Sequence, residues 1–195
     1  VGQFPAFQPA PGLLDGAAIG DTVQFHGTLN SPDRRHFTVF AVPPADIPAA
    51  SCPVSIILAD WRRDEAAIAG IRRSVFIEEQ AVPEDMEWEA VDPACDWFIA
   101  RDAAGRVVGI VRLVPDGHVG RMAVLPDWRR RGIGSRLLGA VLEHARRRGF
   151  ARAVLHAQIQ AQPFYLKHGF QPEGEVFMEA GIPHQRMHLS LTQQP

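Results

Sequence analysis

Arg129, Arg130 and Arg131, followed by Gly132-Ile133-Gly134-Ser135, are the residues of this chain whose types and spacing most directly suggest chemistry. Before them runs an apolar, strand-like stretch, Met122-Ala123-Val124-Leu125, that stops at Pro126. After them a long amphipathic pattern starts at Ile133. The segment therefore reads as a strand, a tight basic loop and a helix N-terminus in succession. A helix N-terminus offers unpaired backbone N–H groups and the positive end of the macrodipole. Glycines let the backbone approach an anion and arginines add charge, a combination that suits a pyrophosphate. The order is Arg-x-x-Gly-x-Gly, from Arg129 to Gly134. It is neither Gly-x-x-x-x-Gly-Lys-Ser/Thr nor Gly-x-Gly-x-x-Gly. The plain alternative is a turn with a solvated basic helix start.

The elements that must position this loop are legible around it. Ile133, Leu137, Leu138, Val141, Leu142 and Ala145 recur at helical spacing, Arg146, Arg147 and Arg148 close the pattern, and Gly149 follows as a C-cap. The arginine triplet at 146–148 reads as a helix end, where cations suit the dipole, rather than as a nucleic-acid patch. Val54 to Leu58 reads as a buried strand, with Asp60 as N-cap of a helix that carries Ile68, Ile71, Arg72, Val75 and Phe76 on one face. Glu78 to Asp92 reads as an acidic loop with a short helix at its start. Strands are expected at 97–100 and 107–113 around the turn Asp102-Ala103-Ala104-Gly105, then at 119–124 and 153–157. A short helix over 160–168 ends at Gly169, and one or two strands lie between there and Leu191. Val1 to Pro53 differs: it is proline-rich and reads as an extended arm and a β-hairpin, so the expected division is an appendage over 1–53 and a regularly patterned domain over 54–195.

Composition narrows the class. The 195 residues suffice for one domain with an appendage. A net charge of −2 gives no global field for nucleic acid. Cys52 and Cys95 make no disulfide framework, which points to a reducing compartment. The sequence shows no signal-peptide pattern and no apolar run of membrane-spanning length. A soluble cytoplasmic protein without a membrane or nucleic-acid partner is expected.

A second motif lies downstream, Ala161-Gln162-Pro163-Phe164-Tyr165-Leu166-Lys167-His168-Gly169-Phe170. Together with Val124-x-Pro126 and the Arg129–Gly134 loop, it resembles the two hallmarks of the GNAT superfamily of N-acetyltransferases. Within it, Val75-Phe76-Ile77-Glu78-Glu79-Gln80, His156-Ala157-Gln158 and Glu179-Ala180-Gly181-Ile182-Pro183-His184 look like the small bacterial ElaA-like branch. The resemblance covers about Val54 to Leu191. It implies an α/β (α+β) fold: a mixed, mostly antiparallel sheet that splays apart beside the loop, flanked by helices, to which the N-terminal β-hairpin appendage is added. It implies no metal, and acetyl-CoA as cosubstrate, bound through Met122, Ala123, Val124, Arg129, Arg130, Arg131, Gly132, Ile133, Gly134, Ser135, Gln158 and Phe164. Gln158 stands where many members carry Asn.

Acetyl transfer needs a neutral amine, a polarised carbonyl and a proton for the leaving thiolate. Backbone N–H groups around Met122 to Val124 could polarise the carbonyl. Tyr165, the only tyrosine, is expected as general acid. Glu79 is expected as base, with Glu78, Asp92, His156 or ordered water as alternatives. A covalent route through Cys95 meets the carboxylates of Asp92 and Asp96, which would raise a thiol pKa. Glu84, Asp85, Glu87, Glu89 and Asp92 suggest an acidic acceptor wall and hence a small cationic amine. A homodimer is compatible with the sequence. The competing class is a non-catalytic acyl-CoA-binding regulatory module.

Overall fold

The computed structural model describes residues 54–192. The appendage expected over 1–53 lies outside the described residues. Among the described residues seven strands and four α-helices follow in the order β1 Ser55–Leu58, α1 Trp61–Arg72, α2 Glu84–Glu87, β2 Asp96–Arg101, β3 Val107–Leu113, β4 Val119–Val124, α3 Ile133–Arg147, β5 Arg152–Gln158, α4 Gln162–Lys167, β6 Gln171–Glu179 and β7 Ile182–Ser190. Among the described residues no helix is long and apolar enough to cross a membrane.

Local chemistry explains the boundaries. The Asp60 side chain accepts from the Arg63 amide, and the Asp64 carboxylate accepts from the Asp60 amide at 3.0 Å, so α1 is capped from both sides. The helix does not stop at Phe76: it runs on as a widened π-helical stretch, Arg73–Glu79. The short helix of the acidic region therefore forms later, over Glu84–Glu87. α3 begins after Gly132, which sits at φ +76°, and buries the six apolar residues that its spacing selects. It ends with the Phe150 amide on the Ala145 carbonyl and the Gly149 amide on the Arg146 carbonyl, a close of the Schellman type. Ala180 and Gly181, both at positive φ, make the two-residue turn that joins β6 to β7.

The strands form two sheets, β1-β2-β3-β4 and β5-β7-β6, in which every pairing is antiparallel. One parallel bridge, His118 to Val154, joins β4 to β5. Above it the two strands diverge. A bulge contributes: the β3–β4 register shifts between Ile110 and Arg112, and Arg121 takes φ +47°. The first sheet is buried on both faces. Trp97 and Ile99 of β2 pack with Ile68 and Ile71 of α1, whereas Phe98 and Ala100 pack with Leu137, Leu138 and Val141 of α3. Burial on both faces explains why β2 reads as a continuous apolar run rather than an alternating one.

Candidate active site

The basic loop sits at the open end of the splay. Pro126–Trp128 forms a tight turn, Arg130 takes φ +60° and Gly132 φ +76°, and the helix starts at once. No side chain caps α3. Its first amides are left for an external acceptor, the arrangement that binds an anion. A β-carbon built on Gly134 would come within 3.3 Å of the Met122 side chain and 3.6 Å of Phe164, so the helix start packs directly on β4 and α4. These features fit the pyrophosphate and pantetheine arm of coenzyme A.

Arg129 is held differently from its two neighbours. Its Nε donates to the Val124 carbonyl at 2.8 Å, and its Nη1 to Glu79 Oε1 at 2.7 Å, while Nη2 reaches the second Glu79 oxygen. Val124 O points away from β3, since the Leu125 amide takes the next ladder position, on Val108. The hydrogen bond from Arg129 holds the Glu79 carboxyl below the usual carboxylate range. Glu79 therefore faces the loop, and its affinity for a proton is low. Arg131 stacks over Trp128 at 5.1 Å.

A cavity of about 540 Å³ opens between β4 and β5. Met122, Gln158 and Tyr165 line it, as do His118, His156 and Glu179. Tyr165 reaches Met122 Sδ at 3.8 Å and meets Phe164 edge-on at 5.1 Å. Burial pushes its phenol up to about 12. Gln158 Nε2 donates to Gln80 Oε1 at 2.8 Å, which ties β5 to the end of the first long helix. Ala123 points the other way, into the core under α1. Thus Met122, Gln158 and Tyr165 meet at one cavity, and Phe164 packs beside it between Tyr165 and the start of α3.

Of the acidic stretch, Glu87 and Glu89 do line the cavity, but as partners of arginines rather than as free carboxylates. Arg72, nearly fully buried, donates to Glu87 Oε1 at 2.6 Å and to Asp92 Oδ2 at 2.7 Å. Arg112 pairs with Asp92 and Glu89, Arg121 with Glu87 and Glu89, and Arg73 with Glu84. Burial works to raise the Asp92 carboxyl, and hydrogen bonds from Arg72 and Arg112 overcome it, so it lies below the usual range. The carboxylates of Glu84, Glu87, Glu89 and Asp92 thus stitch the loop to α1, β3 and β4. Cys95 is buried, and burial first, with Asp92, Glu89 and Asp96 adding, pushes its thiol to about 11. It is no nucleophile at neutral pH.

Gln80 and Glu179 stand out in the cavity only once the chain is folded. Both lie in stretches that carry the family resemblance, and a polar residue at a strand or helix end within such a stretch is the signal that marks them. Arg112 and Arg121 carry no comparable signal.

Comparison with known proteins agrees with this architecture. Residues 57–191 match the model of the acetyltransferase (GNAT) domain. The Bacillus subtilis protein named uncharacterized N-acetyltransferase YjcF is 35% identical over 121 residues, which cover 60% of this chain and 86% of that one. The structure of an acyl-CoA N-acyltransferase from Pseudomonas aeruginosa superimposes with a TM-score of 0.63 at 25% identity, covering 70% of this chain and 99% of the other. Escherichia coli ElaA has the same fold, with a TM-score of 0.63 at 23% identity over 70% of this chain and 99% of its own. An uncapped helix start behind a basic glycine loop, at the mouth of a splayed sheet, is what such a domain requires, and the chain belongs to the GNAT acetyltransferase family.

Proposed function

We propose that the protein moves an acetyl group from acetyl-CoA to a primary amine, directly, within a ternary complex. The observation that carries this reading is the adjacency of two features. The uncapped start of α3 packs at Gly134 on Met122, and Met122 lines the same cavity as Tyr165. In this reading the loop from Arg129 to Ser135 cradles the pyrophosphate. The outward edge of β4 from Met122 to Val124 pairs with the pantetheine arm and aims an N–H at the thioester oxygen. Gln158 and Phe164 flank that arm. Tyr165 keeps its proton at neutral pH, so it donates a hydrogen bond to the departing sulfur.

Glu79 fits a positioning role better than that of base, because Arg129 holds its carboxylate. The preference for a cationic acceptor rests on the carboxylates of the cavity wall, Asp116 and Glu179 together with Glu87 and Glu89, the last two already paired with arginines. Thiol release from acetyl-CoA across polyamines, aminoglycosides, lysine peptides and arylamines tests the proposal, beside calorimetry of coenzyme A. Binding of coenzyme A without release in the presence of any amine would leave an acyl-CoA-binding module instead.

A further inference from the structure

An alkylammonium has no lone pair, so its acetylation needs a proton acceptor near the thioester. Two of the carboxylates first considered for that work, Glu79 and Asp92, are held by arginines. His156 is not. It sits on β5 two residues before Gln158, on the wall of the cavity that Tyr165 and Met122 also line. Its Nδ1 lies 3.1 Å from Glu179 Oε2. Its ring meets His118 edge-on at 5.3 Å and Phe177 edge-on at 4.9 Å, so its orientation is set from three sides. A carboxylate on Nδ1 fixes the tautomer and leaves Nε2 as the basic nitrogen.

We propose that His156, positioned by Glu179, is the general base of this site, a role that rests on the acetyltransferase reading above. Nε2 takes a proton from the acceptor ammonium. The freed lone pair forms the C–N bond at the thioester carbonyl, and the C–S bond breaks. The sulfur takes the Tyr165 hydroxyl proton, and the proton shed by the new amide nitrogen restores the tyrosine. The His156 proton leaves to solvent, which reaches the ring because 39% of the side chain is exposed. One proton is released per turnover.

The surrounding charges are compatible with this. His118 meets the ring from the turn before β4, with Asp116 3.7 Å from His118; Glu179 comes from β6, His184 of β7 lines the same cavity, and Arg186 of β7 is the register partner of His156. Burial first, then the neighbouring His156 and Arg186, lower the His118 pKa against the pull of Asp116. His118 is therefore neutral at pH 7 and adds no second positive charge beside an incoming ammonium. Arg186 lies 3.4 Å from the Glu173 carboxylate.

The test compares the whole protein with H156Q and E179Q, using the alkylamine that the wild type acetylates fastest. H156Q should bind coenzyme A as the wild type does and lose on the order of 100-fold in kcat/KM near neutral pH. That deficit should narrow as pH approaches the amine's own pKa, where solvent supplies the neutral amine. A packing lesion would persist at every pH. E179Q keeps a hydrogen-bonding partner for Nδ1 but loses the carboxylate that holds the ring. It should bind coenzyme A as the wild type does, lose on the order of 10-fold in kcat/KM near neutral pH, and cost nothing further in the H156Q background. If H156Q does not fold, E179Q carries the test through its rate and through the same narrowing of the deficit towards the amine's pKa. An unchanged rate in H156Q or E179Q, or a deficit that is the same at every pH, overturns the assignment while the acetyltransferase reading stands. A wild type that releases no thiol with any amine overturns both.

Discussion

A buried phenol with a pKa of about 12 keeps its proton wherever amine acetylation is measured, so loss of that proton sets no alkaline limb in the assay. Tyr165→Phe should fold and bind coenzyme A almost normally, because the only polar contact of the hydroxyl among the described residues is the long one to Met122 Sδ. Its kcat should fall by about 10²-fold or more if the hydroxyl serves the departing sulfur. Single-turnover kinetics with an unchanged rate would return Tyr165 to packing against Phe164 and Phe170. Individual residues were legible to different depths. Tyr165 and Met122 could be read from motifs because their neighbours in sequence are their neighbours in space. The partners of the acids at 84–92 could not. Arg72 lies 15 residues before Glu87, and Arg121 lies 32 after Glu89. Sequence displays a charge without displaying what neutralises it.

At the scale of elements, α3 was readable from end to end, because its apolar spacing, glycine start and glycine stop agree. The π-helical stretch at Arg73–Glu79 and the bulge at Arg121 were not readable. Both are backbone adjustments made by ordinary residues under tertiary packing, and neither leaves a compositional trace. The loop before α3 carries two predictions. Gly134→Glu should weaken coenzyme A binding by at least about 2 kcal/mol, through repulsion of the pyrophosphate and lost charge-assisted hydrogen bonds. The added side chain would also press on Met122 and Phe164. Arg146→Ala, at the opposite helix end, is the control and should leave calorimetric affinity unchanged. Glu79→Gln releases the Arg129 guanidinium for phosphate, so coenzyme A should bind more tightly, and less so as salt rises. Weaker binding in that variant would mean that Glu79 itself contacts the cosubstrate or braces the loop for it.

Across the whole molecule, the acid–arginine cluster joins elements that are far apart in sequence. Arg72→Ala strips Glu87 and Asp92 of the buried arginine they share, leaving Glu87 only Arg121 and Asp92 only Arg112, and should cost about 3 kcal/mol, read from the midpoint of denaturant unfolding at unchanged slope. The sign of the pH dependence follows from Asp92, whose folded carboxyl is depressed. Its contribution is complete above the unfolded value, near about 3.9, and is lost as pH falls from there through the lower folded value. The wild type should therefore lose stability over that acid window, and Arg72→Ala should lose less across it. A flat wild-type profile there would show that the cluster contributes little to folding.

Since among the described residues a single β-bridge, His118 to Val154, joins the start of β4 to β5, the upper edge of β4 has no neighbouring strand among them. Exposed edges are templates for foreign strands and a route to aggregation. If the cosubstrate pairs with that edge, as proposed, the edge cannot be blunted by a proline or an inward lysine without losing that use. Its protection then has to come from occupancy. Coenzyme A should shield the free protein from heat-induced clumping by more than its effect on the unfolding midpoint explains. Light scattering and calorimetric melting, run in parallel with and without the ligand, would separate those two contributions. Scattering that merely tracks the midpoint would show that the open edge is no liability.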